Sequence, residues 1–117
     1  MPVFAPGSLA EAAFAASFRG LPLTGSIDRL VVTGDHVLAV DYKSNRLVPK
    51  DPAEVPEGLL RQMGAYAHAL GQIYPGRRIE TAILWTRTAT LMPLDPDIVR
   101  AALHLSLIHI SEPTRPY

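Results

Sequence analysis

The pattern of apolar and polar positions divides the chain into short, distinct segments. Residues 23–32 and 36–42 have strand character and are separated by Thr33-Gly34-Asp35. Gly-Asp suits a two-residue hairpin turn, which would pair Thr33 with His36 and fix the register of both strands. Residues 9–18 are Ala-rich and compatible with helix or strand. The following Arg19-Gly20-Leu21-Pro22 turn and the next strand favour a strand. Residues 44–55 form a polar loop with Pro49, Asp51 and Pro52. Pro56 then suits the first turn of a helix and Glu57 its positive end. Leu59, Leu60, Met63, Tyr66, Ala67, Leu70, Ile73 and Tyr74 follow with helical period, and Pro75-Gly76 stops the run. Residues 79–86 read as a buried strand and 89–92 as a short returning one. Asp95-Pro96 is an N-cap followed by an N1 proline. The order strand, strand, strand, helix, strand, strand, helix predicts an α/β fold, a mixed sheet flanked by helices.

Composition narrows this only slightly. The chain has 117 residues, enough for one domain. Its 48% apolar and 19% charged content describes a globular rather than a disordered chain. The absence of cysteine excludes disulfides, thiolate zinc sites, iron–sulfur clusters and a cysteine nucleophile, and it fits a reducing cytoplasm. No run of 18 apolar residues and no signal-peptide pattern is present, so no membrane association is expected. A formal net charge of zero argues against tight independent DNA binding, and suits a module to which DNA is delivered by a larger assembly. Residues 105–115, Leu-Ser-Leu-Ile-His-Ile-Ser-Glu-Pro-Thr-Arg, match a translated sequencing adapter. Residues 105–117 are therefore set apart as non-native, and 1–104 are read as a partial domain of a gene fragment.

The candidate chemistry lies in the hairpin. Its register puts Asp28 opposite Asp41 and Ser26 opposite Lys43. Opposed side chains share a face, with Cβ atoms roughly 5 Å apart. Two facing carboxylates repel, so folding alone does not favour them; a divalent cation between them makes the pair a binding site. Lys43 follows Asp41 by two residues and shares its face. Two acids and an ammonium at one spot are the equipment of metal-assisted phosphodiester hydrolysis. Taken singly, each residue is better explained as a solvated or merely polar strand position. Together, with Val37 and Ala39 leading into Asp41 along one face, and with Leu30 and Val32 on the face of Asp28, they point to a site. Gln62 and Tyr66 are neighbours on a helix face and could orient a phosphate there. Arg46, leaving the strand near Lys43, could reach another. Glu11 could join the metal shell, though a solvated role explains it better. His36 and His68 read as surface residues and Trp85 as core.

The residues 25–30 (Gly-Ser-Ile-Asp-Arg-Leu), 40–46 (Val-Asp-Tyr-Lys-Ser-Asn-Arg), 62–66 (Gln-Met-Gly-Ala-Tyr) and 83–86 (Ile-Leu-Trp-Thr) resemble the RecB-type branch of the PD-(D/E)XK nuclease superfamily. Within it they are most similar to the C-terminal nuclease domains of AddA-type helicase–nucleases. The resemblance covers residues 4–103 and implies a restriction-endonuclease-like fold. It implies Asp28, Asp41 and the Tyr42 carbonyl as ligands of Mg2+, with Mn2+ as a substitute, and Lys43 as the stabiliser of the attacking water. Gln62 and Tyr66 match the family's Gln-x-x-x-Tyr motif and, with Arg46, would engage DNA. Single-stranded DNA as substrate, an AddB-like partner subunit, and a role in double-strand-break repair and recombination are further implications. This chain has no Walker motif, and the family's upstream helical segment has no counterpart in it. The alternatives are a non-catalytic DNA-engaging module on the same fold and a RecB-like exonuclease of a phage system.

Overall fold

The computed structural model describes residues 8–111, with side chains described for 9–105. Five strands form one sheet in the order β1 (Ser8–Phe18), β2 (Leu21–Val32), β3 (His36–Lys43), β4 (Arg78–Trp85), β5 (Thr90–Leu94). All neighbours are antiparallel except β3 and β4, which run parallel. A parallel pair needs a crossover, and α1 (Glu57–Ile73) supplies it. The second helix, α2 (Pro96–Ser111), packs on α1. The mixed sheet with flanking helices expected from the element order is therefore present. No helix among the described residues is long and apolar enough to cross a membrane. Of the stretch read as adapter, residues 105–111 continue α2. Residues 112–117 and 1–7 lie outside the described part.

Local chemistry sets the boundaries. Arg19 and Gly20 both have positive φ, so they form the mirror-image turn that suits a hairpin's twist, and Leu21 pairs directly with Phe18. The turn is thus shorter than Arg19-Gly20-Leu21-Pro22, and Pro22 lies inside β2, opposite Ser17. Gln72 and His68 of α1 take over hydrogen bonding at Ser17. The Gln72 amide accepts from Ser17 N–H and donates to its carbonyl, and His68 Nε2 donates to the same carbonyl. His68 also packs edge-on against Phe18, so it fastens β1 to α1 rather than lying free on the surface. The β2–β3 turn spans Gly34 and Asp35 as expected, but neither has positive φ. Thr33 closes it, its N–H and hydroxyl both donating to the His36 carbonyl.

Helix ends follow the expected signals with one shift. Pro56 occupies the N-cap of α1 rather than its first turn, and its carbonyl accepts from Leu59 and Leu60. Asp95 caps α2, its carboxylate accepting from Asp97 N–H at 2.8 Å. The main core lies between the sheet and α1 and includes Ile27, Val37, Ala39, Met63, Leu70, Ile83 and Trp85. Ile73, placed on the apolar face by periodicity, is exposed at the helix end.

One irregularity breaks the alternation. The β1–β2 ladder omits a single pair, Glu11 with Asp28, and Glu11 has a φ of 53°. Inward-facing positions run Leu30 and Val32 on one side of this point and Ile27 and Phe14 on the other, all packing on the same core. Strict period two would have put Ile27 and Leu30 on opposite faces. The phase therefore slips at Asp28.

Close packing of the helices depends on Gly64. A Cβ there would meet the Val99 carbonyl oxygen at 2.2 Å and its carbon at 3.0 Å, both backbone atoms of α2. Gly64→Ala should therefore destabilise the fold by about 1–3 kcal/mol, the usual scale of overpacking, despite the better helix propensity of alanine. Thermal unfolding checks this, and an unchanged or higher Tm would contradict the packing described.

Candidate active site

Regular pairing of β2 with β3 covers Val32–Val37, Val31–Leu38, Leu30–Ala39 and Arg29–Val40, the register expected from the turn. It stops there. Asp28 and Asp41 are not a ladder pair, and neither are Ser26 and Lys43, which corrects the expectation of four directly opposed residues. The phase slip at Asp28 is the reason: β2 leaves β3 at this point. The Asp28 carboxylate accepts the Tyr42 backbone N–H at 2.8 Å, bridging the strands where their regular ladder has ended.

The separation leaves Asp41, Lys43 and Asp28 at the opening fork. Asp41 is 3% exposed, at the end of the buried Val37–Ala39 stripe. Lys43 Nζ lies 3.2 Å from Asp41 Oδ2. Beyond that ion pair, Asp41 Oδ2 has no hydrogen-bond partner among the described residues. Burial holds the Asp41 carboxyl above the usual carboxylate range. The Lys43 ammonium opposes that shift, and the neighbouring Asp28 carboxylate adds to it. The Lys43 carbonyl accepts from the N–H and hydroxyl of Thr86, which anchors the strand end carrying the ammonium.

Tyr66 approaches from α1. Its ring is buried, and its hydroxyl donates to the Ser26 carbonyl at 2.8 Å while accepting from the Gln62 amide at 2.8 Å. Burial and the charges of Asp41 and Asp28 push the Tyr66 hydroxyl up to about 12, against the opposing effect of the Gln62 donor. The helix pair and the acid pair are thus brought together. The role of Ser26 as backbone acceptor was not read from the sequence. A signal was available in Gly25: a Cβ there would sit 3.0 Å from the Phe14 ring, which packs edge-on against Tyr66. A glycine inside a strand often marks such a close approach.

Other candidates lie elsewhere. Arg46 stands exposed on the loop after β3 and makes no hydrogen bond or ion pair among the described residues. Glu11 is exposed at the skipped ladder position. His36 pairs with Glu80 at the far end of β3, away from the acids. Trp85 is fully buried, as expected of a core residue.

Comparison with known proteins places this geometry. The sequence model of the PD-(D/E)XK nuclease superfamily matches residues 4–105. The chain belongs to this superfamily. The five-stranded mixed sheet is its restriction-endonuclease-like fold. Two solved structures share it. A "Putative exonuclease" from Eubacterium rectale superposes with a TM-score of 0.62 at 12% identity, over 87% of this chain and 42% of its own. The protein SSO0001 superposes with a TM-score of 0.51 at 13% identity, over 93% of this chain and 53% of its own. The chain thus spans about half the length of these structures. No curated protein sequence matches it.

The raised Asp41 carboxyl has a consequence for the metal-free protein. The folded chain takes up this proton more readily than the unfolded one. The stability contributed here is therefore greatest in acid, and falls as pH rises from the ordinary value of 3.8 through the raised folded value. Asp41→Asn removes that loss, and should raise the metal-free Tm by a few degrees near neutral pH. The gain should shrink as the pH approaches 3.8. Unfolding curves in chelator across this range test it, and a variant less stable than the parent at neutral pH would refute it.

Proposed function

We propose that this nuclease domain hydrolyses DNA phosphodiesters with a divalent metal held by Asp28 and Asp41. The observation that carries the reading is the buried Asp41 carboxylate beside Asp28, its Oδ2 ion-paired with Lys43 at 3.2 Å and holding no further hydrogen bond among the described residues. Like charges are costly in such a place unless a cation joins them. The donors are hard oxygens: two carboxylates and, as the family resemblance implies, the Tyr42 carbonyl. No group of three or more His, Asp or Glu side chains suited to a metal exists among the described residues. That suits Mg2+ better than Ca2+, because Mg2+ is commonly held by one or two carboxylates together with waters and substrate phosphate. Mn2+ prefers the same oxygen ligands.

The bound cation would polarise the phosphate and lower the pKa of a water. The chain's own residues do the rest. Asp28 and Asp41 fix the position of the reacting centre. Lys43, held beside Asp41 and partly open to solvent, stabilises the attacking water and the charge that develops on the phosphate. Tyr66 is kept protonated well beyond neutral pH and remains a hydrogen-bond donor. Gln62, exposed at the rim and tied to Tyr66, positions a phosphate, and Arg46 is available to contact the backbone further along. The motif resemblance extends this reading to an AddA-like helicase–nuclease that cuts single strands during double-strand-break repair and recombination, with an AddB-like partner, in the cytoplasm.

Two measurements test the proposal. Mg2+ or Mn2+ should raise the Tm of the chain by binding the folded state preferentially. Asp28→Asn and Asp41→Asn should each abolish the rise, and a metal response unchanged in both variants rules out this site. In the intact enzyme, Lys43→Ala should reduce cleavage of labelled single-stranded DNA roughly a hundredfold while metal binding survives, the scale of losing one transition-state charge partner. Lys43→Arg should not restore the rate, since a planar guanidinium does not replace a compact ammonium. Near-normal cleavage by Lys43→Ala would show that the ammonium has only a structural role.

A further inference from the structure

The C-terminal ends of a parallel strand pair commonly open into a ligand crevice. Here β3 and β4 end at Lys43 and Trp85, which are partners in the ladder. Beyond them lies a cleft of about 330 Å³, between Trp85 and the loop of residues 44–56. Its volume is at the lower end of small-molecule sites.

Two features of this cleft are unexplained by folding. Trp85 lines it and is fully buried, yet its indole N–H has no acceptor among the described residues. Buried indole N–H groups normally find one. Leu47, on the cleft wall, is 85% exposed, although the chain has buried most of its large apolar side chains. Pro49 and Pro56 complete an apolar wall, while Asn45 and Glu54 supply polar atoms. A carboxylate among the lining residues disfavours a phosphate as the occupant. A flat, apolar ring with hydrogen-bonding edges fits all of these features.

We propose that this cleft receives the base of a nucleotide next to the scissile phosphate. The base lies against Leu47 and the prolines, and an edge acceptor takes the Trp85 N–H once the loop opens to admit it. The inference rests on the nuclease reading above and adds to it a contact to a base where the family motif accounts for metal and phosphate.

Trp85 is the single tryptophan of the chain, so its fluorescence reports on the core position that lines this cleft. A short single-stranded oligonucleotide, titrated with chelator present to prevent cleavage, should change Trp85 emission in step with the anisotropy of labelled DNA. Oligonucleotides carrying one abasic site, walked along the strand, should show one position at which affinity falls roughly tenfold, within the range of a single base–aromatic or base–apolar contact. Leu47→Ser, a change at an exposed position that leaves the core intact, should weaken binding of the intact strand by a similar factor. It should have no further effect on the strand abasic at that position, and Trp85→Phe should behave likewise. Binding seen by anisotropy with no emission change, no abasic penalty and no effect of Leu47→Ser overturns the base site and leaves the nuclease reading standing. If DNA neither binds nor is cleaved under any metal condition, both fail.

Discussion

The site depends on one hydrogen bond, from the Tyr42 backbone N–H to the Asp28 carboxylate. Where β2 and β3 part company, a backbone donor would lose its strand partner in a half-buried place, at a cost of about 1–3 kcal/mol if left unmet. Asp28 meets that need with a side chain. The fork can therefore open without exposing an orphaned group. Fold and chemistry share the same residue. The carboxylate that closes the end of the ladder is also the one proposed to hold the metal, which ties strand divergence to the position of the reacting phosphate.

The helix side completes this arrangement by a different route. Tyr66 reaches across to the Ser26 carbonyl, on the part of β2 that has left β3. It pins the diverging strand to α1 while its ring packs against Phe14. Gln62 then sits one helical turn away at the rim, bonded to the same hydroxyl. The Gln-x-x-x-Tyr spacing is thus a structural brace whose outer end, Gln62, is exposed.

Much of this was legible in the sequence because short-range rules governed it. The Gly34-Asp35 turn set the β2–β3 register, Asp95-Pro96 started α2, and the spacing of Met63, Tyr66 and Leu70 gave the buried face of α1. The divergence at Asp28 was not legible. It depends on a two-strand irregularity shared with Glu11, and period-two reasoning assumes that neither strand slips. The same assumption placed Ser26 against Lys43 and missed its carbonyl as the acceptor for Tyr66. The packing role of His68 was not legible for another reason. Its contacts, Phe18 and Ser17, come from an element fifty residues away, and nothing local to α1 announces them.

Those contacts at Ser17 have a wider implication. β1 is a border strand, long and nearly free of the charges that discourage sticking. Near its end, where Pro22 can offer no N–H, the Gln72 amide bonds both polar groups of Ser17 as the backbone of another strand would. A helix side chain thus counterfeits a sixth strand at that point. That end of the border strand is closed to a further strand by the helix that also braces the proposed catalytic face.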